Sequence, residues 1–273
     1  MEVNISRKKD ISTKGYYHIK LIALITMLID HLPAIIKFSD TTEIALHSIG
    51  RIAFPLFAWE LVRCYGYSLN KIKHLFSLFY LALLSEPMFD LLFSHTAMDW
   101  KSQNVCFTLS LGWICLYILD YDWIGIEICR KKGIVPNKLK VLSMIQWLIR
   151  IAFCIVIGII AQITNCDYGI CGIGLIVLFA IADKISKKNF PLEIIVFIIY
   201  IIIMGFKNTE NVALGLFVYS FCLADIGIIG YYRYKYTPKT DKGVNKALGL
   251  FCKWFYPVHL LVLFIIGMIL ALN

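Results

Sequence analysis

Histidines, arginines and carboxylates stand inside stretches otherwise suited to hydrocarbon. The run LITMLIDHLPAII, residues 24–36, carries Asp30 and His31 side by side near its middle. His259 stands in a second apolar run, Arg51 and Arg150 in two more, and Glu86 and Asp90 share LLSEPMFDLLF four residues apart. An ionisable group at mid-bilayer costs about 2.5 to 3.5 kcal/mol on insertion scales, so a chain that keeps several must pair them or line a wet cavity with them. Histidine near neutral pH can act as general base or as nucleophilic carrier of an acyl group. A guanidinium or a side-chain amide can steady an oxyanion, and a carboxylate can fix an imidazole tautomer. So many polar groups together point to one shared interior site. Glu86 or Asp90, from another helix, can orient the His31 ring or pair with Arg51.

Five helices must bring these groups to one depth. His31 lies eleven residues beyond Lys20, a rise of roughly 16 Å, and Arg150 and His259 fall about mid-way along their own runs. Glu86 and Asp90 share one helix face. Pro33, Pro55, Pro87 and Pro257 mark similar depths, where a bent helix needs a cavity or other protein to take up its freed carbonyl. A polar cavity of ligand size beside His31 follows, as does an Arg51 ion pair with Glu86 or Asp90.

Composition sets the frame for those helices. Of 273 residues 59% are apolar and 16% charged, with a mean hydropathy of +0.74, which excludes an ordinary soluble domain. Apolar runs of spanning length fall near 18–38, 44–63, 74–93, 104–121, 141–164, 168–183, 190–206, 211–230 and 249–272. The expected fold is an all-α, polytopic integral membrane bundle of about nine transmembrane helices: a tail over 1–17, then a single domain over 18–273. No cleavable secretion signal is expected, because the first twenty residues are polar and basic. The segment YDWIGIEICRKKGIVPNKLK suits an interfacial helix.

The net charge of +9 needs no nucleic acid to explain it. Twenty-one lysines and arginines occupy one alternating set of gaps, and only Lys37, Lys101 and Lys207 occupy the other. By the positive-inside rule the N-terminus is cytoplasmic and Asn273 outside, in a plasma membrane. Nine cysteines show no CxxC pair and no zinc spacing, so no metal is expected. Most lie in apolar runs as small hydrophobes; Cys166 and Cys171 flank a short loop at a spacing that permits a disulfide.

The chain resembles the TraX family of membrane proteins. The likeness rests on IDH at 29–31, GRIAFPLFA at 50–58, SEPMFD at 85–90, NVCFTLSLG at 104–112, YGICG at 168–172 and YPVHL at 256–260. It implies acetyl transfer, since the family's namesake acetylates the N-terminal amine of conjugative pilin subunits. It also implies kinship with acyltransferase family 3, whose first span carries a basic residue, ten intervening residues and a histidine. Lys20 and His31 match that spacing, with lysine in place of the usual arginine. On this resemblance the donor is acetyl-CoA, with Lys20 and Arg150 as candidate ligands of the coenzyme; His31 is the first choice for base or acyl carrier and His259 the second, Arg51 or Asn104 is the oxyanion donor, and Glu86 or Asp90 fixes the imidazole tautomer. The acceptor is an amine or hydroxyl of an extracytoplasmic pilin-like protein, peptide or glycan. Two other classes stay open. A proton-coupled transporter would show inverted repeats and paired broken helices, for which no convincing pair is legible; a non-catalytic assembly factor for surface fibres would need no aligned histidine and carboxylate.

Overall fold

The computed structural model describes residues 17–131, 136–185, 190–207, 211–234 and 242–272. The expected tail, all but Tyr17, lies outside the described residues. Helix α1 (Tyr17–His31) runs into a 3-10 turn at Leu32–Ala34, where Pro33 ends regular hydrogen bonding. Then come α2 (Asp40–Gly50), α3 (Ala53–Tyr67), α4 (Lys71–Phe93), α5 (Val105–Asp120), α6 (Ile126–Lys131), α7 (Pro136–Ile163) and α8 (Gly169–Ile185). The chain closes with α9 (Phe190–Lys207), α10 (Val212–Ser220), α11 (Leu223–Tyr234) and α12 (Lys242–Leu272). Among the described residues there is no strand, and the nearest approach to one is an isolated parallel bridge between Gln103 and Cys166. Of the expected interfacial segment, residues 126–131 form α6 and residues 136–140 begin α7, while residues 132–135 lie outside the described residues.

Short polar residues set the helix starts. Ser39, Asn70, Asn104 and Asn211 each accept a backbone N–H from the first turn, satisfying donors that a helix leaves orphaned. The run expected at 44–63 breaks at Arg51–Ile52, and Pro55, which has no N–H to give, falls in the first turn of the renewed helix. The run expected at 211–230 also breaks, at Phe221–Cys222. The two breaks touch, because Cys222 Sγ donates to the Arg51 carbonyl at 3.2 Å.

Among the described residues five segments are long and apolar enough to cross a membrane: α4, α7, α9, Val212–Tyr232 across the second break, and Ala247–Ala271 within α12. Helices α1, α5 and α8 have 15, 16 and 17 residues, or about 22 to 26 Å, shorter than a bilayer core of about 30 Å. They need not reach it unaided. α3 and α5 are the most enclosed, and α8 packs against both. The long helices wrap this centre and turn large apolar side chains outward, among them Leu148, Ile155 and Ile163 on α7 and Val258, Ile265 and Leu270 on α12. Such a girdle fits lipid, and water would not tolerate it.

Because lipid is as apolar as leucine, contact between helices rests on close packing and polar pairs. A Cβ on Gly172 of α8 would meet Phe54 of α3 and Thr108 of α5 at 2.9 Å each, so glycine permits this three-helix approach. At one end of the bundle Lys71 meets Asp120 at 2.5 Å, and Arg63 holds Asp183 at 2.8 Å and Glu193 at 3.0 Å, clamping α3 to α8 and α9. All nine cysteines are free, Cys166 and Cys171 included.

Candidate active site

His31 closes α1 and His259 lies mid-way along α12, and these helices pack together. His31 Nδ1 stands 3.0 Å from His259 Nε2, and His259 Nδ1 stands 2.9 Å from the Phe255 carbonyl. A carbonyl can only accept, so His259 carries its hydrogen on Nδ1 and presents Nε2 as an acceptor. The hydrogen between the rings therefore belongs to His31 Nδ1. That leaves His31 Nε2 with a free lone pair, the form a base or nucleophile requires. The rings are nearly parallel, with centroids 5.2 Å apart, and Phe93 meets His31 edge-on at 5.2 Å.

The carboxylates are placed differently from the expectation. Arg51 Nη2 pairs with Asp30 Oδ1 at 3.2 Å, and His47 Nδ1 meets the same oxygen at 2.9 Å. Neither Glu86 nor Asp90 is its partner, because α2 packs on α1 and α4 packs mainly on α5 and α12. A Cβ at Gly50 would overlap the Asp30 side chain, so glycine lets α2 approach. Glu86 instead accepts the Asn104 backbone N–H at 3.1 Å and also its side-chain amide. Asp90 accepts the Asp99 N–H at 2.7 Å and ties down the loop after α4. Neither orients a histidine.

Asn104, expected as an oxyanion donor, is also engaged elsewhere. Its amide hydrogens go to the Ala82 carbonyl, at 2.9 Å, and to Glu86, while its oxygen caps α5 through the Cys106 N–H at 2.9 Å. Arg150 lies apart from the histidines. Helix α7 extends past the end of α5, so its middle faces the last turn of α5, where Arg150 Nη2 donates to the Tyr121 carbonyl at 2.6 Å. The adjoining Asp122 carboxyl, between α5 and α6, is held below its usual range by the Ile126 and Glu127 N–H groups.

The cavity that His31 lines shares wall residues with two larger ones. The one that His31 and Asp30 line is small, about 30 Å³, so ligand-sized space lies beside the site and not within it. Met27, Phe57, Val105 and Tyr256 line both this cavity and one of about 330 Å³, inside the usual range for small-molecule sites of about 300–1,000 Å³. Lys20, Glu60, His74 and Lys253 bring charge and polarity to the larger space, whose remaining wall is mostly apolar. Lys20 is paired there with Glu60 at 2.9 Å, so part of its charge is already engaged. On the opposite side Asp167 and Tyr168 line both the His31 cavity and a third of about 210 Å³, which also touches Arg51 and Lys207. His31 borders the central cavity and His259 does not, which ranks His31 as the reacting ring and His259 as its positioning partner.

A profile of the TraX protein family matches residues 16–267, nearly the whole chain. The chain belongs to the TraX family. It is also 29% identical over 123 residues to "Probable fimbrial assembly protein FimC, serogroup H1" of Dichelobacter nodosus, a match covering 42% of this chain and 49% of that protein. The matched stretch thus spans about half the length of this curated relative. No solved structure matches. TraX membership fits the helical fold and its apolar girdle, and the chain is a multi-pass membrane protein.

Glu60, His47 and Asp167 were not legible as site residues. Glu60 had a signal, an acidic residue in the apolar stretch FAWELV. His47 and Asp167 stand at a helix end and in a loop, where polar residues are ordinary. Among the described residues no group of three or more His, Cys, Asp or Glu is placed to hold a metal.

Proposed function

We propose that this chain is a membrane-embedded acetyltransferase that moves acetyl from cytoplasmic acetyl-CoA to an amine or hydroxyl of an acceptor on the other side. The observation that carries the reading is the His31–His259 pair, with a free lone pair on His31, at a cavity that shares walls with a larger cavity on each side. The end bearing Lys20, His74 and Lys253 faces the cytoplasm, in line with the basic gaps. The 330 Å³ cavity suits a thioester arm: apolar walls for its length and cations at its mouth for phosphates.

In the reaction the acceptor attacks the thioester carbonyl, His31 Nε2 takes the acceptor's proton, and that proton returns to the departing sulfur as free thiol. His259 holds His31 in the required tautomer. Tyr256 lines both the donor cavity and the His31 cavity and lies against the Val105 N–H at the start of α5, so its hydroxyl is the oxyanion donor in place of Asn104. Family membership and the fimbrial assembly relative support a pilin-like protein as acceptor. Mass spectrometry of membrane peptides and surface glycans, with and without the gene, tests the reading: one acetyl group should be lost from a surface component, and an unchanged acetylation profile would defeat it.

The touching breaks at Arg51–Ile52 and Phe221–Cys222 favour a second reading, proton-coupled transport, because discontinuous helices line many transport sites. Proton flux in sealed vesicles without acetyl-CoA separates the two.

A further inference from the structure

Asp167 lies between α7 and α8 and has no part in the histidine pair. Its backbone is held from several directions. Asp167 N–H donates to the Gln103 carbonyl at 2.9 Å, and its own carbonyl accepts the Thr108 hydroxyl. Gln103 N–H donates to the Asn165 carbonyl at 3.0 Å, and the Tyr168 ring stacks on Phe54 at 3.9 Å. Asn165 and Tyr168 sit at φ of 51° and 64°, a left-handed conformation that side chains rarely adopt and that persists only where the surroundings impose it.

The side chain is treated differently from the backbone. Asp167 is exposed and lines both the His31 cavity and the 210 Å³ cavity, and its carboxylate accepts the Tyr168 backbone N–H. Among the described residues no ion pair within 4.0 Å reaches it, since the nearby Arg51 is engaged by Asp30. A strained loop thus holds a carboxylate that is in no ion pair among the described residues, on the wall the two cavities share. Asp167 and Tyr168 are the wall residues common to the 210 Å³ cavity and the cavity beside His31.

We infer that Asp167 is the acceptor-binding residue: its carboxylate receives the N–H or O–H of the acceptor's attacking group and aims the lone pair at the acyl carbon beside His31. This rests on the acetyltransferase reading. The proton still goes to His31 Nε2, and Asp167 is unchanged over the cycle.

The test uses the purified full chain in lipid nanodiscs and two probes, a short apolar peptide with a free amino terminus and the same peptide with a hydroxyl in place of that amine. At least one should bind the wild type. Asp167→Asn should weaken it by about tenfold or more, since a hydrogen bond to a charged group is lost, while acetyl-CoA affinity changes less than about twofold. Asp167→Glu should recover part of the loss, which a merely misfolded loop would not. Which probe responds identifies the acceptor as amine or alcohol. Equal binding by wild type and Asp167→Asn, or no binding of either probe to the wild type, overturns the inference. Because the readout is binding, it is separate from turnover. Transfer that survives His31→Ala would defeat the acetyltransferase mechanism, whereas peptide binding that survives Asp167→Asn would defeat only this assignment.

Discussion

His31 Nδ1 and His259 Nε2 stand 3.0 Å apart although 228 positions separate them in the chain. The Phe255 carbonyl, 2.9 Å from His259 Nδ1, sets the direction of the hydrogen between them. His259 is thus a positioning residue, and a side chain that still offers an acceptor should replace it in part. His259→Ala should lower kcat/KM for acetyl transfer by about 10- to 100-fold, and His259→Gln by less. Steady-state kinetics of both variants decide this; equal loss in the two would show that acceptance from His31 is not what His259 supplies.

Arg51 and Asp30 form the ion pair behind the site, 3.2 Å apart and largely buried. Arg51→Ala should destabilise the protein by about 1–3 kcal/mol by leaving a partly buried charge without one of its partners. Combined with Asp30→Asn the effects should be clearly less than additive, whereas Arg51→Ala combined with Glu86→Gln should be additive. Thermal unfolding in detergent, analysed as double-mutant cycles, distinguishes the observed pairing from the one expected in the sequence.

Asn104 caps α5 while Glu86 and the Ala82 carbonyl take its amide hydrogens. Asn104→Ala should therefore cost about 0.5–2 kcal/mol as the loss of a helix cap. A normal melting temperature with abolished turnover would instead restore the oxyanion role to Asn104.

Tyr256 should show the opposite pattern. Tyr256→Phe keeps the ring and removes the hydroxyl, so kcat should fall by about 10²- to 10³-fold with little change in acetyl-CoA affinity or melting temperature. Wild-type turnover in this variant would remove Tyr256 from the mechanism.

The helical class and the main apolar runs were legible because a run of 16 or more apolar residues has few other physical outcomes. His31 and His259 were legible singly, since each breaks such a run, but their pairing was not: nothing local tells which helix α12 will lie against. The Arg51 pairing was misread for a related reason. The run at 44–63 reads as one continuous helix, and only the break at Arg51–Ile52, with Gly50 admitting Asp30, turns the guanidinium toward α1. Arg150 was misplaced because depth was counted along its own helix, whereas its neighbour α5 ends opposite it. Asp167 lay in a loop, and loops carry aspartate for many reasons.

The central claim is that His31 is the base or carrier in acetyl transfer. Its most direct test is the rate of labelled acetyl transfer from acetyl-CoA to membrane acceptors in sealed vesicles of known orientation, comparing wild type with His31→Ala at equal levels of folded protein. The account predicts wild-type transfer only when acetyl-CoA is on the cytoplasmic face, and a loss of at least about 10²- to 10⁴-fold in the variant. Undiminished transfer by folded His31→Ala would contradict it.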